Sequence, residues 1–266
     1  MMATIHATAI VEDGAELGEG VRIGPYCTVG PQAKLGDDVV LRSHVVVDGR
    51  TMVGARTEIY PFTVIGLRPQ DLKFGGEPSA LEIGTDNVIR EHVTMHTGTA
   101  GGGMVTRLGN GCLLMVGVHL AHDCQVGNGV ILGNNTGLAG HVVVQDFAIT
   151  GGHVAVHQFC RIGRYSMIGG ASAVDADIIP YGLAMGNRGQ LQGLNLIGLK
   201  RRSFSRERIN NLRHAYRMLF AQEGTLQERV ADVAGMFAGN DEVAEIVEFI
   251  KADSSRPLCL PAPERS

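Results

Sequence analysis

Leu35-Gly-Asp-Asp-Val-Val-Leu41-Arg-Ser-His-Val-Val-Val47-Asp-Gly-Arg-Thr-Met-Val53 carries an aliphatic side chain at every sixth residue. Stepping by six toward the N-terminus gives Val29, Ile23, Leu17, Val11 and Ile5; stepping forward gives Ile59 and Ile65. Ile83, Ile89 and Met95 keep the phase. After a shift of one residue the pattern resumes at Leu108 and runs through Leu114, Leu120, Val126, Leu132, Leu138, Val144, Val156, Ile162 and Ile168 to Val174, with only Thr150 breaking it. Gly often follows the aliphatic residue, as at Gly36, Gly54, Gly109 and Gly133. A period of six fits neither a helix nor a simple strand. It fits a short strand followed by a turn, with one side chain per unit pointing inward. Three such units close a triangular coil, and stacked coils satisfy one another's backbone groups. The expected fold is a β solenoid, a parallel β-helix of hexapeptide repeats, with Gly supplying turn geometries that a Cβ would obstruct.

Composition agrees with this reading. Hydrophobic residues make up 44% of the 266 and aromatics only 5%, with no Trp and 37 Gly. The core is therefore expected to be aliphatic and the backbone to turn often. A formal charge of -4 argues against general nucleic-acid binding. Cys27, Cys112, Cys124, Cys160 and Cys259 form no CxxC pair and no metal spacing, and read as reduced thiols of a cytoplasmic protein. No basic segment followed by an apolar run opens the chain, so no signal peptide is expected, and no stretch approaches the roughly 20 apolar residues of a membrane span.

Two polar, turn-rich segments interrupt the repeat and should bulge out as loops, at 67–80 and 97–107. A solenoid can extrude such loops without disturbing its core, and they often carry function. The repeat stops near Pro180. Beyond it Ser203 or Ser205 caps a helix bearing Ile209, Leu212, Tyr216, Leu219 and Phe220. Thr225-Leu-Gln-Glu228 is a capping box ahead of Val230, Val233 and Phe237. Asn240 or Asp241 opens a further helix with Val243, Ile246, Val247 and Ile250. We expect a β-helix over 1–189 and a small C-terminal α-helical domain over 190–266, ending in a loose tail from Ser254.

The chemistry concentrates in His119-Leu-Ala-His122-Asp123-Cys124. A His–Asp pair acts as a general base when the carboxylate holds one ring nitrogen protonated and the other accepts a proton from a hydroxyl. His141 and His157 follow at steps close to one coil, so their side chains can line one edge. His6, His44, His92, His153 and His214 read as core or surface fillers. A rival reading of the clustered imidazoles is a Zn²⁺ site, as in the carbonic anhydrases built on this repeat, although Asp123 has no role there. A bare structural solenoid predicts no polar cluster at all. Lys200-Arg-Arg-Ser-Phe-Ser-Arg-Glu-Arg208 is either a solvated helix start or a site for an anion, a pyrophosphate or an acidic carrier protein.

Hexapeptide repeats of this kind resemble the left-handed β-helix proteins. More specifically, the chain resembles the UDP-N-acetylglucosamine O-acyltransferases that begin lipid A synthesis. The likeness rests on Ile23-Gly-Pro-Tyr-Cys, Ser43-His-Val-Val-Val, Gln70-Asp-Leu-Lys-Phe, Gly76-Glu-Pro, Ile89-Arg-Glu-His-Val-Thr-Met-His96, His119-Leu-Ala-His-Asp-Cys, Leu138-Ala-Gly-His, Ala155-Val-His-Gln-Phe and Gly198-Leu-Lys-Arg-Arg. The repeat alone is shared by many acyltransferases; the combination is specific, and it covers essentially the whole chain. The resemblance implies a homotrimer with clefts between subunits. It implies transfer of an (R)-3-hydroxyacyl chain from acyl carrier protein to the sugar 3-hydroxyl, without metal or organic cofactor. By the same resemblance His122 is the base, Asp123 orients it, and the backbone N–H of Gly140 meets the oxyanion. Asp71 and Lys73 position substrate; His96, His119, His141, His157 and Gln158 line the cleft; Asn195, Arg201 and Arg202 serve the nucleotide and phosphates.

Gly170 matches the position that limits acyl length, and a Gly there implies a long chain of the 3-hydroxymyristoyl class. The sequence departs from the family at Asn195-Leu-Ile197-Gly, where Asn-x-Glu-Gly is common, and at Arg188, where His is common. These departures bear on nucleotide affinity and leave a 3-amino sugar acceptor open. The later N-acyltransferase of the same pathway carries an extra N-terminal domain; here the repeat begins at Ile5, which disfavours it.

Overall fold

The computed structural model describes residues 2–262. From Thr4 to Val174 the chain runs as strands of two to four residues joined mostly by short turns. Successive strands enter three parallel sheets in rotation. Sheet A begins with Thr4–Ile5 and Arg22–Ile23, sheet B with Ile10–Val11 and Thr28–Val29, and sheet C with Glu16–Leu17 and Lys34–Leu35. Partners lie eighteen positions apart, Arg22 against Val40 and Thr28 against Val46. Three hexapeptide units thus make one coil, and the three sheets are the faces of a prism.

The sixth-residue aliphatics fill the prism. Leu41, Ile59, Ile65, Leu114, Leu120 and Leu132 are fully buried, each worth about 1.5–3 kcal/mol of removed apolar surface. Ile5 is 45% exposed, because the first coil has none above it. Thr150 keeps its place in the core by satisfying its hydroxyl there: it lies 2.8 Å from Thr136 Oγ1 and accepts from the Gly133 N–H at 3.0 Å.

Gly66, at φ 86°, has the turn geometry expected, but most glycines after the aliphatic residues serve differently. A Cβ on Gly54 would lie 2.6 Å from the Gly84 carbonyl oxygen, and one on Gly109 2.6 Å from that of Gly127. Their role is close approach of successive coils. The left-handed turn position falls two residues later and is mostly occupied by other residue types, such as Tyr26, His44, Phe62 and His92. Each such residue costs roughly 1–2 kcal/mol. At the edge between sheets A and B these four offset the strain by stacking ring on ring, at centroid spacings of 5.0, 5.0 and 5.2 Å.

Both extruded loops are present with shorter bounds than the sequence suggested. Leu67 ends the strand Val64–Leu67 and Ala80 starts Ala80–Ile83, so the first loop is 68–79. Val105–Leu108 is a strand paired in register with Ala80–Ile83, so the second loop closes at 104 and contains a 3₁₀ turn, Ala100–Gly102.

The expected boundary at 189/190 falls inside a hairpin. Gly182–Met185 adds to sheet A in parallel, and Gln190–Leu194 returns antiparallel against it. Helices begin with α1 (Leu196–Arg201), a short helix the hydrophobic pattern did not reveal, capped by Asn195. Then follow α2 (Arg206–Leu219) capped by Ser205, α3 (Leu226–Met236) with the Thr225–Glu228 capping box, and α4 (Asp241–Lys251) capped by Asn240. Ile209, Leu212, Leu219, Val230, Val233, Val243 and Ile246 form their shared core. Arg161 ties this part to the prism: its N–H groups donate to both oxygens of buried Asp177 at 2.7 Å and to the Phe249 carbonyl at 3.2 Å.

The tail is not loose as far as Ala262. Asp177 N–H donates to the Pro257 carbonyl, Cys259 N–H to that of Asp177, and Leu191 N–H to that of Leu260, at 2.8, 2.8 and 3.0 Å. Cys259 is buried. Residues 263–266 of the expected tail lie outside the described residues. No helix among the described residues is long and apolar enough to cross a membrane.

Candidate active site

Both loops leave the prism where the chain passes from sheet B to sheet C. The next turns on that edge hold His122 and Asp123, then Gly140 and His141, then His157, Gln158 and Phe159. The eighteen-residue coil therefore stacks His122, Gly140 and Gln158 in one column and Asp123, His141 and Phe159 in the next. The His141 N–H donates to the His122 carbonyl at 3.0 Å and the Phe159 N–H to that of Gly140 at 3.1 Å.

Asp123 occupies the left-handed turn position, φ 62°, which an Asp tolerates better than most residues. Its side chain is completely buried. The Thr99 N–H donates to Oδ1 at 2.8 Å and the Thr99 hydroxyl to Oδ2 at 2.6 Å. The His122 Nδ1–H donates to the same Oδ2 at 2.8 Å. The Asp123 N–H in turn donates to Thr106 Oγ1 at 2.8 Å. Because the carboxylate accepts at Nδ1, the His122 proton sits there and Nε2 has a free lone pair. The second loop wraps this carboxylate closely: a Cβ at Gly102 would fall on it, and one at Gly98 would lie 2.8 Å from Oδ1. Gly140 is equally constrained, since a Cβ there would approach His122 Nε2 to 2.7 Å.

Of the other imidazoles, His96 and His119 lie on sheet B strands and His141 on the same edge as the pair. His119 Nδ1 lies 2.8 Å from Thr94 Oγ1, and its ring meets that of His96 edge-on. Burial, and then the neighbouring His96, hold the His119 pKa below the usual imidazole value. The His96 Nδ1–H donates to the Arg68 carbonyl at 2.8 Å, while its Nε2 is buried without a partner among the described residues. His141 stands edge-on to His122 and stacks flat on Phe159 at 4.4 Å. Burial lowers its pKa too, with His122 adding to the effect and Asp123 and Asp71 opposing it. Asp71 Oδ1 accepts from the Lys73 N–H at 3.0 Å, and the Lys73 side chain is exposed.

Sequence reasoning missed the residues that hold these groups. Thr99 and Thr106 look like ordinary turn threonines, and nothing in their spacing points to Asp123. Glu77 joins the two loops, accepting from the Ala100 N–H at 3.0 Å and the Gly75 N–H at 2.8 Å. Arg256, from the tail, reaches His157 and Gln158.

Four expected residues lie elsewhere in the chain. Gly170 is on the edge between sheets A and B, where a Cβ would meet nothing nearer than the Gly152 carbonyl oxygen at 3.3 Å. Asn195 is committed to structure: Oδ1 accepts from the Gly198 N–H and Nδ2 donates to the Tyr165 carbonyl. Arg202 lies over the rings of Phe147 and Tyr165 on the edge between sheets C and A, and Arg201 is exposed beside it. The basic cluster also divides, since Arg208 pairs with Glu242 and covers Phe204.

His122, Asp123 and His141 bring potential ligand atoms within 4.8 Å of one another. They suit a metal poorly. His141 Nδ1 is 3.8 Å from Asp123 Oδ2, and that carboxylate already accepts three hydrogen bonds. A thiol nucleophile is also disfavoured: burial pushes Cys124 up to about 12, and its S–H faces the Ala139 carbonyl.

Comparison with known proteins decides the family. The chain is 55% identical over 206 residues to the acyl-[acyl-carrier-protein]–UDP-N-acetylglucosamine O-acyltransferase of Caulobacter vibrioides, covering 77% of this chain and 78% of that one. The chain belongs to the UDP-N-acetylglucosamine O-acyltransferase family. The enzyme of the same name from Methylobacterium radiotolerans is 57% identical over 203 residues, 76% of this chain and 75% of its own. The second domain described for UDP-N-acetylglucosamine O-acyltransferase matches residues 177–259, and the bacterial transferase hexapeptide repeat matches 14–49 and 106–140. The solved UDP-N-acetylglucosamine O-acyltransferase of Moraxella catarrhalis superposes with a TM-score of 0.92 at 41% identity, over 96% of this chain and 99% of that one. The UDP-N-acetylglucosamine acyltransferase of Francisella novicida gives 0.94 at 34% identity, over 98% and 95%. In this member of the O-acyltransferase family, the His–Asp pair and both loops share one edge of the prism.

Proposed function

We propose that the chain transfers an (R)-3-hydroxyacyl group from acyl carrier protein to the 3-hydroxyl of UDP-N-acetylglucosamine, the first step of lipid A biosynthesis. The observation that carries the mechanism is the His122–Asp123 pair, with Nε2 free and the Gly140 backbone against the ring. His122 Nε2 takes the proton of the sugar hydroxyl as its oxygen attacks the thioester carbonyl. Buried Asp123 stabilises the imidazolium and fixes the ring. The Gly140 N–H, without a protein acceptor among the described residues, donates to the tetrahedral oxyanion. Collapse expels the carrier thiolate, which recovers the proton from His122. Neutral His119 and His141 offer hydrogen bonds without competing for that proton. Asp71, Lys73, His96, His157 and Gln158 line the rest of the cleft.

The coil is left-handed and the working form is a cytoplasmic homotrimer. The prism, carried through to Leu194, and the helices from Asn195 act as two domains. The trimer reading is supported by where the remaining groups fall. Gly170, and the pair Arg201 and Arg202 with Asn195, sit on the two edges that do not bear His122. A neighbouring copy brings such edges against it, placing Gly170 along the acyl chain and the arginines beside the pyrophosphate. The test is acyl transfer from 3-hydroxyacyl carrier proteins of graded length to UDP-N-acetylglucosamine and its 3-amino analogue, with His122→Ala beside the parent. Transfer abolished by the substitution is expected; undiminished transfer refutes the base assignment.

A further inference from the structure

Arg256 lies about a hundred residues downstream of the site edge and belongs to a tail that sequence reading left free. The backbone pairing of Pro257, Cys259 and Leu260 with the prism instead straps this tail down and delivers one guanidinium to the sheet B–C edge. Arg256 Nε–H donates to the Gln158 carbonyl at 2.8 Å, and Nη2–H approaches His157 Nδ1 to 2.6 Å. A guanidinium has donors only. His157 Nδ1 is therefore the acceptor, and the ring proton must sit on Nε2. His157 Nδ1 is also 3.3 Å from the Gln158 carbonyl, a contact that favours the opposite tautomer. That carbonyl already accepts from Arg256 Nε, and the shorter, charge-assisted contact dominates.

We propose that Arg256 is a positioning residue for acyl transfer: it fixes His157 as an Nε2–H donor and locks the His157–Gln158 turn against the prism. The proposal rests on the reading that His157 lines the cleft. It assigns the C-terminal strap a part in catalysis, since the same segment that ends the fold sets the tautomer of a cleft imidazole. Two hydrogen bonds in a fixed fork explain why Arg is suited here and Lys is not.

The experiment compares Arg256→Gln, Arg256→Lys, His157→Ala and the double variant Arg256→Gln/His157→Ala, all as full chains with matched melting temperatures. Kinetics are read together with imidazole ¹⁵N spectra, His157→Ala assigning the signal. Expected are an Nε2–H tautomer in the parent, a mixture in Arg256→Gln, and a roughly ten-fold loss of kcat/KM, the size of one lost charge-assisted hydrogen bond. Arg256→Lys recovers only part of it. The double variant is no worse than His157→Ala. If His157→Ala is impaired while Arg256→Gln keeps parental kinetics, or if the tautomer is unchanged in Arg256→Gln, the role of Arg256 is overturned and the cleft reading stands. If His157→Ala itself is unimpaired, His157 is not in the cleft and both fall.

Discussion

Asp123→Asn tests the base assignment with almost no change of shape. The Thr99 N–H, 2.8 Å from Oδ1, requires an oxygen there. The amide nitrogen of an Asn therefore takes the Oδ2 position, 2.8 Å from His122 Nδ1. It can only donate, so His122 must surrender its Nδ1 proton and carry it on Nε2, the atom that accepts from the sugar in the proposed mechanism. The Thr99 hydroxyl, which donates to Oδ2 in the parent, turns to accept, so both amide hydrogens find partners. The substitution thus removes the reactive tautomer and the charge that stabilises the imidazolium while keeping the packing. A wrong-tautomer lesion of this kind lowers kcat by about 10²–10⁴, or roughly 3–5 kcal/mol of transition-state stabilisation. The assay is steady-state acyl transfer with kcat and KM separated, beside a thermal melt. We expect kcat to collapse, KM to change little, and the melting temperature to move by no more than about 5 °C. His122→Ala/Asp123→Asn should be no slower than His122→Ala, because the two residues act as a unit. A kcat within about three-fold of the parent in a folded Asp123→Asn refutes the argument.

Gly140→Ala places a methyl 2.7 Å from His122 Nε2 and should lower kcat at least ten-fold, read in the same assay. Thr99→Val removes a buried donor to Asp123 and should cost about 1–3 kcal/mol, seen as a lower melting temperature together with reduced kcat. Asp177→Ala leaves the Arg161 cation without its partner at the junction of prism and helices, and should destabilise by about 3–5 kcal/mol in denaturant unfolding. His119 and His141 have pKa values lowered by burial, so the unfolded chain binds protons that the folded one does not. Their contribution is complete above the unfolded value near 6.5 and is lost as pH falls below it. The melting temperature should therefore fall between about pH 7 and 5, and His141→Gln should flatten that slope.

The faces of the prism were legible because the coil is built from local units. One inward aliphatic per six residues is a periodicity that each stretch of the prism between the loops displays, and Leu41, Ile59 and Leu120 are buried where the count places them. The helix caps were legible for the same reason, since a cap bonds within three residues of itself: Thr225 outright, and Ser205 and Asn240 each as one of two neighbouring candidates. His122 and Asp123 were found because they are adjacent. Loop bounds were less legible: strand pairing with the neighbouring coil, not local polarity, extends Leu67, Ala80 and Val105 into strands. Helix α1 is too short for a hydrophobic period to form.

By itself, then, the sequence determined the repeat, its core, the helical end and the adjacent His122–Asp123 pair, all of which depend on residues near one another in the chain. Only the tertiary structure decided which groups meet across coils. Thr99 reaches Asp123 from a loop one coil away, Glu77 clasps one loop to the other, and Arg256 arrives at His157 from the far end of the chain. It also decided which groups do not meet, setting Gly170 and Arg202 on edges apart from His122. Such pairings depend on the stacking register of eighteen-residue coils and on how far each loop departs from it, and no local pattern encodes either.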